Sequence, residues 1–272
     1  EPGETEVQSY QGRLMQRGRY SFGPFHVATR FPLGLVRRTI TVDDVEELIV
    51  FPRPGRLLPR WKQASQAVMA GANGGQSRQG LVEGDFYGLR DWRSGDSRRW
   101  IHWRTSARRG ALAVRQFEQP KSQDTSIILD LWQPETPTDA HRDNVELAIS
   151  FAATVVEEVC RQGHSRIGVG IAGKQPWRKQ SIGSRPLLTE MMEQLALAEP
   201  TSRDTLPEIL APALHDVPAG AMTVLVSTRF IDLKDTKRFK LIWEDPSLRN
   251  MLRGILCLDV SASELFEYFE AT

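Results

Sequence analysis

Ser126–Leu131, which reads SIILDL, and the helical stretch that follows it decide the fold of this chain. A short, continuously apolar run that ends in a polar residue is typical of a buried strand in a parallel sheet. Asp143–Arg161 then repeats small apolar residues at intervals of three and four, as an amphipathic helix does. These residues are Val145, Ala148, Ala152, Val155, Val156 and Val159. Together the two stretches predict a strand that packs against a helix.

The same alternation continues to the end of the chain. It predicts strands at Arg166–Ile171, Thr223–Ser227 and Gly254–Val260, and helices at Leu187–Leu197, at Thr205–Leu214 and after Ser261. Ser261 and Glu264 match a capping box, which predicts that the last helix carries Phe269 on its apolar side. Residues 121–272 are therefore predicted to form an α/β domain, with a doubly wound, mostly parallel sheet and helices on both faces.

Residues 1–62 follow a different pattern. Between residues 7 and 51, short β-branched and aromatic stretches are separated by turn signals such as Gly23-Pro24. They predict a small N-terminal antiparallel β unit, or part of a sandwich. Residues 63–84 include AGANGGQSRQG, which is polar, glycine-rich and aperiodic, and they predict a flexible linker before a distinct segment at 85–120.

The charge of the chain is divided between its two halves. A net charge of +1 conceals +7 over residues 1–120 and −6 over residues 121–272. This asymmetry suggests two units that attract each other across an interface. Cys160 and Cys257 lie in apolar patterns, which predicts two buried thiols rather than a disulfide.

Gly84–Glu118 is rich in planar cations and indoles, and reads GDFYGLRDWRSGDSRRWIHWRTSARRGALAVRQFE. Eight arginines, three of the seven tryptophans and no lysine lie between Leu89 and Arg115, opposed by two aspartates. Guanidinium offers a rigid fork of donors and a flat face for stacking, whereas ammonium is a mobile point charge. The composition therefore favours a fixed network of bidentate pairs and stacked planes over a surface that tracks phosphates.

The residues of this segment carry specific expectations. Gly95-Asp96 reads as a turn, in which Asp96 caps the backbone or pairs with Arg98. The residues expected to lie in a core are Ile101, Trp103, Ala107 and Leu112. The residues expected to form an ionic network that ties the β unit to the α/β unit, or alternatively to face a partner, are Arg90, Asp96, Arg98 and Arg108.

Glu83–Glu118 is similar to the signature of the bacterial family catalogued as domain of unknown function 58. The residues that match its pattern in order and spacing are Gly84, Phe86, Leu89, Arg90, Gly95, Asp96, Arg98, Ile101, Trp103, Ala107, Arg108 and Leu112. Arg17–Leu35 resembles the lead-in of the same family, which usually ends in Asp-Pro-Phe-Gly-Leu. This chain has Phe31-Pro32-Leu33-Gly34-Leu35 there instead.

The resemblance implies a location and partners, but no reaction. Members of the family usually carry two transmembrane helices before the region seen here, and expose the remainder at the cytoplasmic face of the bacterial inner membrane. They are commonly associated with AAA+ ATPases of the MoxR group and with other A-domain proteins.

Asp130, at the end of the first α/β strand, resembles the metal-binding aspartate of the von Willebrand factor A fold. That fold usually has Asp-x-Ser-x-Ser here and a further aspartate on another loop, because Mg²⁺ requires hard oxygen ligands. This chain has Trp132 and Pro134 in place of the two serines, and Ser227-Thr228-Arg229 at the other aspartate position. We therefore expect a von Willebrand A-like domain with a degenerate site at Asp130, and neither a metal nor a cofactor.

The sequence favours a non-enzymatic function. It contains no Ser-His-Asp elbow, HExxH motif, P-loop or cysteine-rich metal spacing, so no catalytic residue is predicted. We expect a membrane-tethered scaffold that acts with a MoxR-type ATPase in complex assembly or envelope maintenance. The residues expected to define its interaction segment are Arg90, Gly95, Asp96, Arg98, Trp103, Arg108 and Arg115.

Two alternatives remain open. An enzyme could use the arginines together with Asp96 and His102 on an anionic or phosphorylated substrate. A nucleic-acid-binding module would use the arginines with their interleaved aromatic residues, although the scarcity of lysine counts against this alternative.

Overall fold

The computed structural model of the protein describes residues 11–30, 34–72, 86–93, 96–117, 124–218 and 220–271, together with Val7 and Ser9. For residues 69–72, 86–88 and 115–117 it describes the backbone alone. Three units can be distinguished within these ranges. They are a β hairpin (residues 18–30 and 34–50), an arginine module (residues 86–93 and 96–117) and an α/β unit (residues 124–218 and 220–271).

The β hairpin consists of two successive antiparallel pairs. Its strands are β1 (Gly18–Phe22), β2 (Phe25–Thr29), β3 (Arg38–Val42) and β4 (Glu46–Val50), with β1 paired to β4 and β2 to β3. Gly23 lies where the two pairs meet, with a φ of +117°. A Cβ atom there would lie 2.1 Å from the carbonyl oxygen of Asp44, so the close approach of the two chains requires glycine. The predicted small antiparallel sheet is confirmed.

A short strand and a helix follow the hairpin, β5 (Arg56–Leu57) and α1 (Pro59–Ala72). Residues 63–72 were predicted to belong to a flexible linker. In the structure they form the second part of helix α1. The reason is local, because the run KQASQAVMA contains mostly good helix formers. The other residues of the predicted linker, 73–84, lie outside the described residues.

The arginine module is built on a second antiparallel pair. Strands β6 (Phe86–Asp91) and β7 (Ala113–Phe117) are joined by a chain that contains a 3₁₀ turn at Arg98–Trp100 and helix α2 (Trp103–Arg109). Ile101, Ala113 and Val114 are buried, and none of them belongs to either core cluster of the α/β unit. The module therefore has a small core of its own.

The α/β unit contains the remaining elements. They are β8 (Thr125–Asp130), α3 (Asp139–Gln162), β9 (Arg166–Ala172), β10 (Trp177–Ile182), α4 (Arg185–Leu197), α5 (Leu206–Asp216), β11 (Met222–Ser227), α6 (Lys240–Glu244), α7 (Pro246–Leu252), β12 (Ile255–Asp259) and β13 (Phe269–Glu270). Five of the strands form one sheet in the order β10-β9-β8-β11-β12. Strands β9, β8, β11 and β12 are parallel, and β10 is antiparallel to β9. The predicted mostly parallel sheet is confirmed.

The sheet is covered on both faces, as predicted. Ile127 and Leu129 of β8 pack in one cluster with buried residues of α3 and α4, whereas Ile128 packs in a second cluster with α5. This period-two division explains why SIILDL is apolar at successive positions, because both faces of the strand are buried. Among the helices in the described part of the chain, none combines the length and apolar composition needed to cross a bilayer.

The end of the chain does not form the predicted helix. Glu264–Glu267 is a 3₁₀ turn, and the chain then extends as β13, which pairs with β5. The capping-box residues are used differently, because the carboxylate of Glu264 accepts a hydrogen bond from the backbone of Asp259 at 2.9 Å. Phe269 is fully buried against the core, and extended backbone is what places it there.

The prediction of two buried thiols holds for Cys160 but is wrong for Cys257. Cys160 is buried on α3, and burial raises the pKa of its thiol. Cys257 is exposed, because its strand β12 lies at the edge of the sheet.

Candidate functional site

The arginine module holds helix α2 against strand β7 through one buried hydroxyl. Ser106 Oγ accepts a hydrogen bond from Ala113 N at 2.9 Å and donates one to the carbonyl oxygen of His102 at 3.1 Å. His102 itself caps the helix, since its Nδ1 accepts from Thr105 N at 3.3 Å and lies 2.8 Å from Thr105 Oγ1. The histidine considered for acid–base chemistry thus has a structural partner in the first turn of α2.

Asp96 is the electrostatic centre of the module. Its carboxylate accepts two hydrogen bonds from the Arg90 guanidinium, at 2.7 and 2.6 Å, and one from Arg93 N at 2.7 Å. These bonds lower the pKa of Asp96 from its ordinary 3.8 to about 2. Asp96 was predicted to cap a turn or to pair with Arg98. It does close the turn at Arg93, but its ionic partner is Arg90.

Replacing Asp96 by asparagine is expected to destabilise the module by about 1–2 kcal/mol at neutral pH, because a partly exposed charged pair is lost. Since folding lowers the pKa of Asp96, its stabilising contribution is present above about pH 4 and is lost as the pH falls through about 2. Urea titrations of both proteins at several pH values should therefore show a difference that narrows between pH 4 and 2. Asp91→Asn is the matched control, because Asp91 is exposed and lies 3.6 Å from Arg109. If the difference in the free energy of unfolding stays constant over this pH range, Asp96 does not have a lowered pKa in the folded protein.

The surface of the module is strongly cationic and partly aromatic. Residues 86–117 contain eight arginines and two aspartates, a formal net charge of +6. The arginines that are exposed and form no ion pair with another described residue are Arg93, Arg98, Arg99, Arg104 and Arg108. Trp103 beside them is 66 % exposed, and Trp92 is 37 % exposed. Five unpaired guanidiniums and two accessible indoles thus share one small unit.

The expected core of the segment is only partly correct. Ile101 is buried, whereas Trp103, Ala107 and Leu112 are exposed. A seven-residue helix can bury one side against its hairpin, and in α2 Ser106 lies on that side. Trp103 and Ala107 are one turn apart on another side, which leaves the tryptophan at the surface.

Among the residues that the structure describes, these arginines do not form the ionic network that was expected to tie the β unit to the α/β unit. The ion pairs of the module, Arg90–Asp96 and Arg109–Asp91, both lie within it, and Arg98 and Arg108 contact no described carboxylate. Gly95 lies outside the described residues, and for Arg115 the backbone position opposite Leu89 is described without its side chain.

The β hairpin and the α/β unit are joined by other residues. Arg17, with its side chain 9 % exposed, donates a hydrogen bond to Ala198 O at 2.8 Å and pairs with Glu146 at 3.2 Å. Gly55 N donates to Thr154 Oγ1 at 2.8 Å, which fixes the chain after the hairpin against α3. Burial lowers the pKa of Arg17, while the nearby carboxylates oppose that shift.

An aromatic contact completes this junction. Trp61 of α1 meets Phe151 of α3 edge to face at 5.3 Å between ring centroids, and Phe151 meets Phe269 in the same manner at 5.6 Å. Trp61 was not predicted to be a core residue, because the residues that follow it were assigned to a flexible linker. The spacing of Leu57, Leu58 and Trp61, with a proline at the start of the helix, was the available signal.

The carboxyl end of the sheet is the second site predicted from the sequence. Strands β8 and β11 are neighbours there, at the point where the order of strands reverses, which is where doubly wound sheets bind ligands. Asp130 is buried, and its carboxylate accepts hydrogen bonds from Ser227 Oγ at 3.0 Å and Arg229 Nε at 2.9 Å. A guanidinium therefore takes the place beside Asp130 that a divalent cation would need.

Further charges and rings fix that guanidinium. Arg229 also donates to Asp204 at 2.6 Å and stacks over Trp132 at 5.0 Å, and Arg238 donates to the same Asp204 at 2.7 and 2.9 Å. Burial raises the pKa of Asp130 and Arg229 opposes this shift, whereas at Asp204 burial is outweighed by the two guanidiniums, which lower the pKa. Within the described ranges, no group of three or more histidine, cysteine, aspartate or glutamate residues is placed to hold a metal ion.

Comparison with known proteins agrees with the signature in the arginine module. A family model described as protein of unknown function DUF58 matches residues 88–245, more than half of the chain. The uncharacterized protein YeaD of Bacillus subtilis (strain 168) is 24 % identical over 224 residues, which cover 80 % of this chain and 53 % of YeaD. The chain thus spans about half the length of that relative. The resemblance inferred from Glu83–Glu118 is confirmed, and the chain belongs to the DUF58 family of unknown function.

Proposed function

We propose that this protein is a non-enzymatic interaction module that binds an acidic protein surface through its arginine module. The observation that carries the proposal is the set of exposed, unpaired arginines around the exposed Trp103. Crowded like charges repel one another, and an anionic partner relieves that repulsion. Trp103 supplies the large, rigid apolar contact that is typical of interface hot spots.

The chemistry of the arginines favours carboxylates. A guanidinium binds a carboxylate through two parallel hydrogen bonds, as Arg90 does with Asp96 inside the module. Arg104 and Arg108 are four residues apart on α2, so they lie one helical turn from each other on the same side. Acidic side chains at a comparable spacing on a partner helix would match them.

The proposed partners are an AAA+ ATPase of the MoxR type and other A-domain proteins. In this proposal the chain is a scaffold in complex assembly or envelope maintenance, held at the cytoplasmic face of the bacterial inner membrane through segments outside residues 1–272. This part of the proposal rests on the family resemblance of the arginine segment.

We infer that the α/β unit is a von Willebrand A-like domain with a degenerate metal site. The order of its strands and the position of Asp130 at the end of β8 support this description. With Arg229 bonded to Asp130, partner binding would proceed without a metal ion.

The test is crosslinking in the native membrane followed by mass spectrometry, with the full-length protein and a charge-reversed variant. Arg104→Glu with Arg108→Glu should reduce crosslinks to an ATPase or A-domain partner by about tenfold or more, because close charge pairs at an interface are lost and like charges replace them. The matched control is Arg249→Glu with Arg253→Glu, two exposed arginines of the α/β unit. Equal crosslinking by all three proteins, or recovery of neither class of partner, would overturn the proposal.

A second measurement distinguishes binding of nucleic acid from binding of an acidic protein. Titration with single-stranded DNA at increasing salt should give no binding at physiological ionic strength if carboxylates are the true ligands. Tight, salt-dependent binding that disappears in the charge-reversed variant would replace the acidic protein with a nucleic acid as the ligand.

A further inference from the structure

The β hairpin has one apolar face that no described residue covers. In the register of β2 and β3, Phe25 lies opposite Val42 and Val27 opposite Ile40, so all four point to the same side. Between 44 and 60 % of each of these residues is exposed. The other side is polar, with His26 opposite Thr41 and a contact of 3.1 Å between their side chains.

The end of the hairpin between β2 and β3 combines apolar and cationic residues. Leu35 is 84 % exposed and Val36 is 75 % exposed, so these residues contribute almost nothing to the core of the chain. The exposed arginines Arg30, Arg37 and Arg38 flank them. We call Arg30 and residues 34–38 the hairpin end.

Acidic residues lie farther along the same hairpin, where its two strand pairs meet. They are Asp43, Asp44, Glu46 and Glu47, all exposed. Arg38 and Asp43 are five residues apart, which corresponds to about 16 Å along an extended strand. This distance is about twice the Debye length at physiological ionic strength, so the acidic residues do not cancel the positive potential at the hairpin end.

We propose that the hairpin end binds the surface of an anionic lipid bilayer. Leu35 and Val36 enter the boundary between headgroups and acyl chains, and the three arginines bind lipid phosphates around them. The apolar face of β2 and β3 lies next to the same boundary, and the acidic residues stay in water. This proposal goes beyond the proposed function, because it concerns a different surface and requires no tether.

Charge complementarity selects the bilayer over a second copy of the chain. Two hairpin ends that met each other would bring six arginines together, and that repulsion opposes self-association at this end. An acidic peptide would satisfy the arginines but would not require two large apolar residues at strongly exposed positions beside them. An anionic bilayer satisfies both.

Flotation with lipid vesicles tests the proposal on the chain as it stands, residues 1–272. Vesicles of phosphatidylcholine with about one third phosphatidylglycerol should bind the chain, and vesicles of phosphatidylcholine alone should bind it far more weakly. Neutralising one arginine should weaken binding about fivefold, so Arg30→Gln, Arg37→Gln and Arg38→Gln together should weaken it roughly a hundredfold. Arg249→Gln with Arg253→Gln is the matched control and should bind normally.

A second measurement separates insertion from simple charge attraction. Leu35→Cys in a chain that also carries Cys160→Ala and Cys257→Ala can be labelled with an environment-sensitive dye. We expect a blue shift with anionic vesicles, and a smaller one when the label is at Thr41→Cys on the polar face. Leu35→Ser with Val36→Ser should reduce binding about tenfold while circular dichroism stays unchanged.

Several outcomes would overturn the proposal. They are equal binding to neutral vesicles, unchanged binding after loss of the three arginines, and a dimer that Leu35→Ser with Val36→Ser abolishes. Arg104→Glu with Arg108→Glu should keep full vesicle binding, because these residues belong to the arginine module. If that variant lost vesicle binding, the arginine module and not the hairpin end would be the lipid-binding surface. Failure of this proposal can therefore be distinguished from failure of the proposed function, which is tested by crosslinking.

Discussion

Replacing Arg229 by leucine should destabilise the α/β unit by about 3–5 kcal/mol at neutral pH. Asp130 is 1 % exposed, and the guanidinium of Arg229 is its ionic partner at 2.9 Å. Removing the guanidinium leaves a buried carboxylate with the hydroxyl of Ser227 as its remaining side-chain hydrogen-bond donor among the described residues. The free energy of unfolding from urea titration measures this loss.

Replacing Asp130 instead of Arg229 should destabilise the α/β unit much less. In Asp130→Asn, Arg229 keeps its bond to Asp204 at 2.6 Å and has a side chain that is 21 % exposed, so no buried charge is left alone. The double variant Asp130→Asn, Arg229→Leu should therefore be more stable than Arg229→Leu alone. If Arg229→Leu and Asp130→Asn lower the free energy of unfolding equally, an unpaired buried carboxylate is not the cause of the loss.

The effect of Arg229→Leu should also depend on pH. Burial already raises the pKa of Asp130, and loss of the opposing guanidinium raises it further. A carboxyl with a raised folded pKa favours the folded state as the pH falls, because protonation removes the uncompensated charge. The difference in the free energy of unfolding between wild type and variant should be largest at neutral pH, and it should become smaller as the pH falls toward 3.8, the ordinary pKa of aspartate.

Trp61→Ala is the second substitution with a large expected effect, a loss of about 3–5 kcal/mol. Trp61 is 7 % exposed, and its ring contacts Phe151, which in turn contacts Phe269 of β13. The cavity left by the indole would lie where α1, α3 and the end of the chain meet. We expect a lower melting temperature and faster hydrogen exchange in α1 and β13.

Trp103→Ala is the matched control for this experiment. Trp103 is 66 % exposed, so its removal should change the free energy of unfolding by no more than about 0.5 kcal/mol. The proposed function predicts that it weakens partner binding instead. A larger loss of stability for Trp103→Ala than for Trp61→Ala would show that the two tryptophans have been assigned the wrong roles.

Periodicity was sufficient to predict the elements with strong local patterns. The apolar run of β8 and the helical spacing of α3 fix the type of both elements. A strand that is buried on both faces is apolar at successive positions, and a helix that is buried on one side is apolar at every third to fourth residue. The antiparallel strand β10 was not predicted. Its sequence WRKQSI is polar because it lies at the edge of the sheet and is largely exposed.

The sheet-end site could be predicted in part for a geometric reason. The sequence placed Asp130 and the Ser227–Arg229 stretch at the ends of two predicted strands. These strands are parallel neighbours, so their carboxyl ends lie side by side despite their separation in sequence. Asp204 and Arg238 could not be predicted, because they lie in loops whose approach depends on how α5 and α6 pack.

By itself, the sequence determined the α/β class, the family signature and the presence of an arginine cluster with few opposing charges. Tertiary structure alone decided which of those charges are satisfied and which are free. Arg90 pairs with Asp96, Arg229 pairs with Asp130 and Arg17 pairs with Glu146. Arg104 and Arg108, in contrast, remain exposed. Local sequence sets the charge of a residue, but pairing depends on distances of a few ångströms between segments that packing brings together.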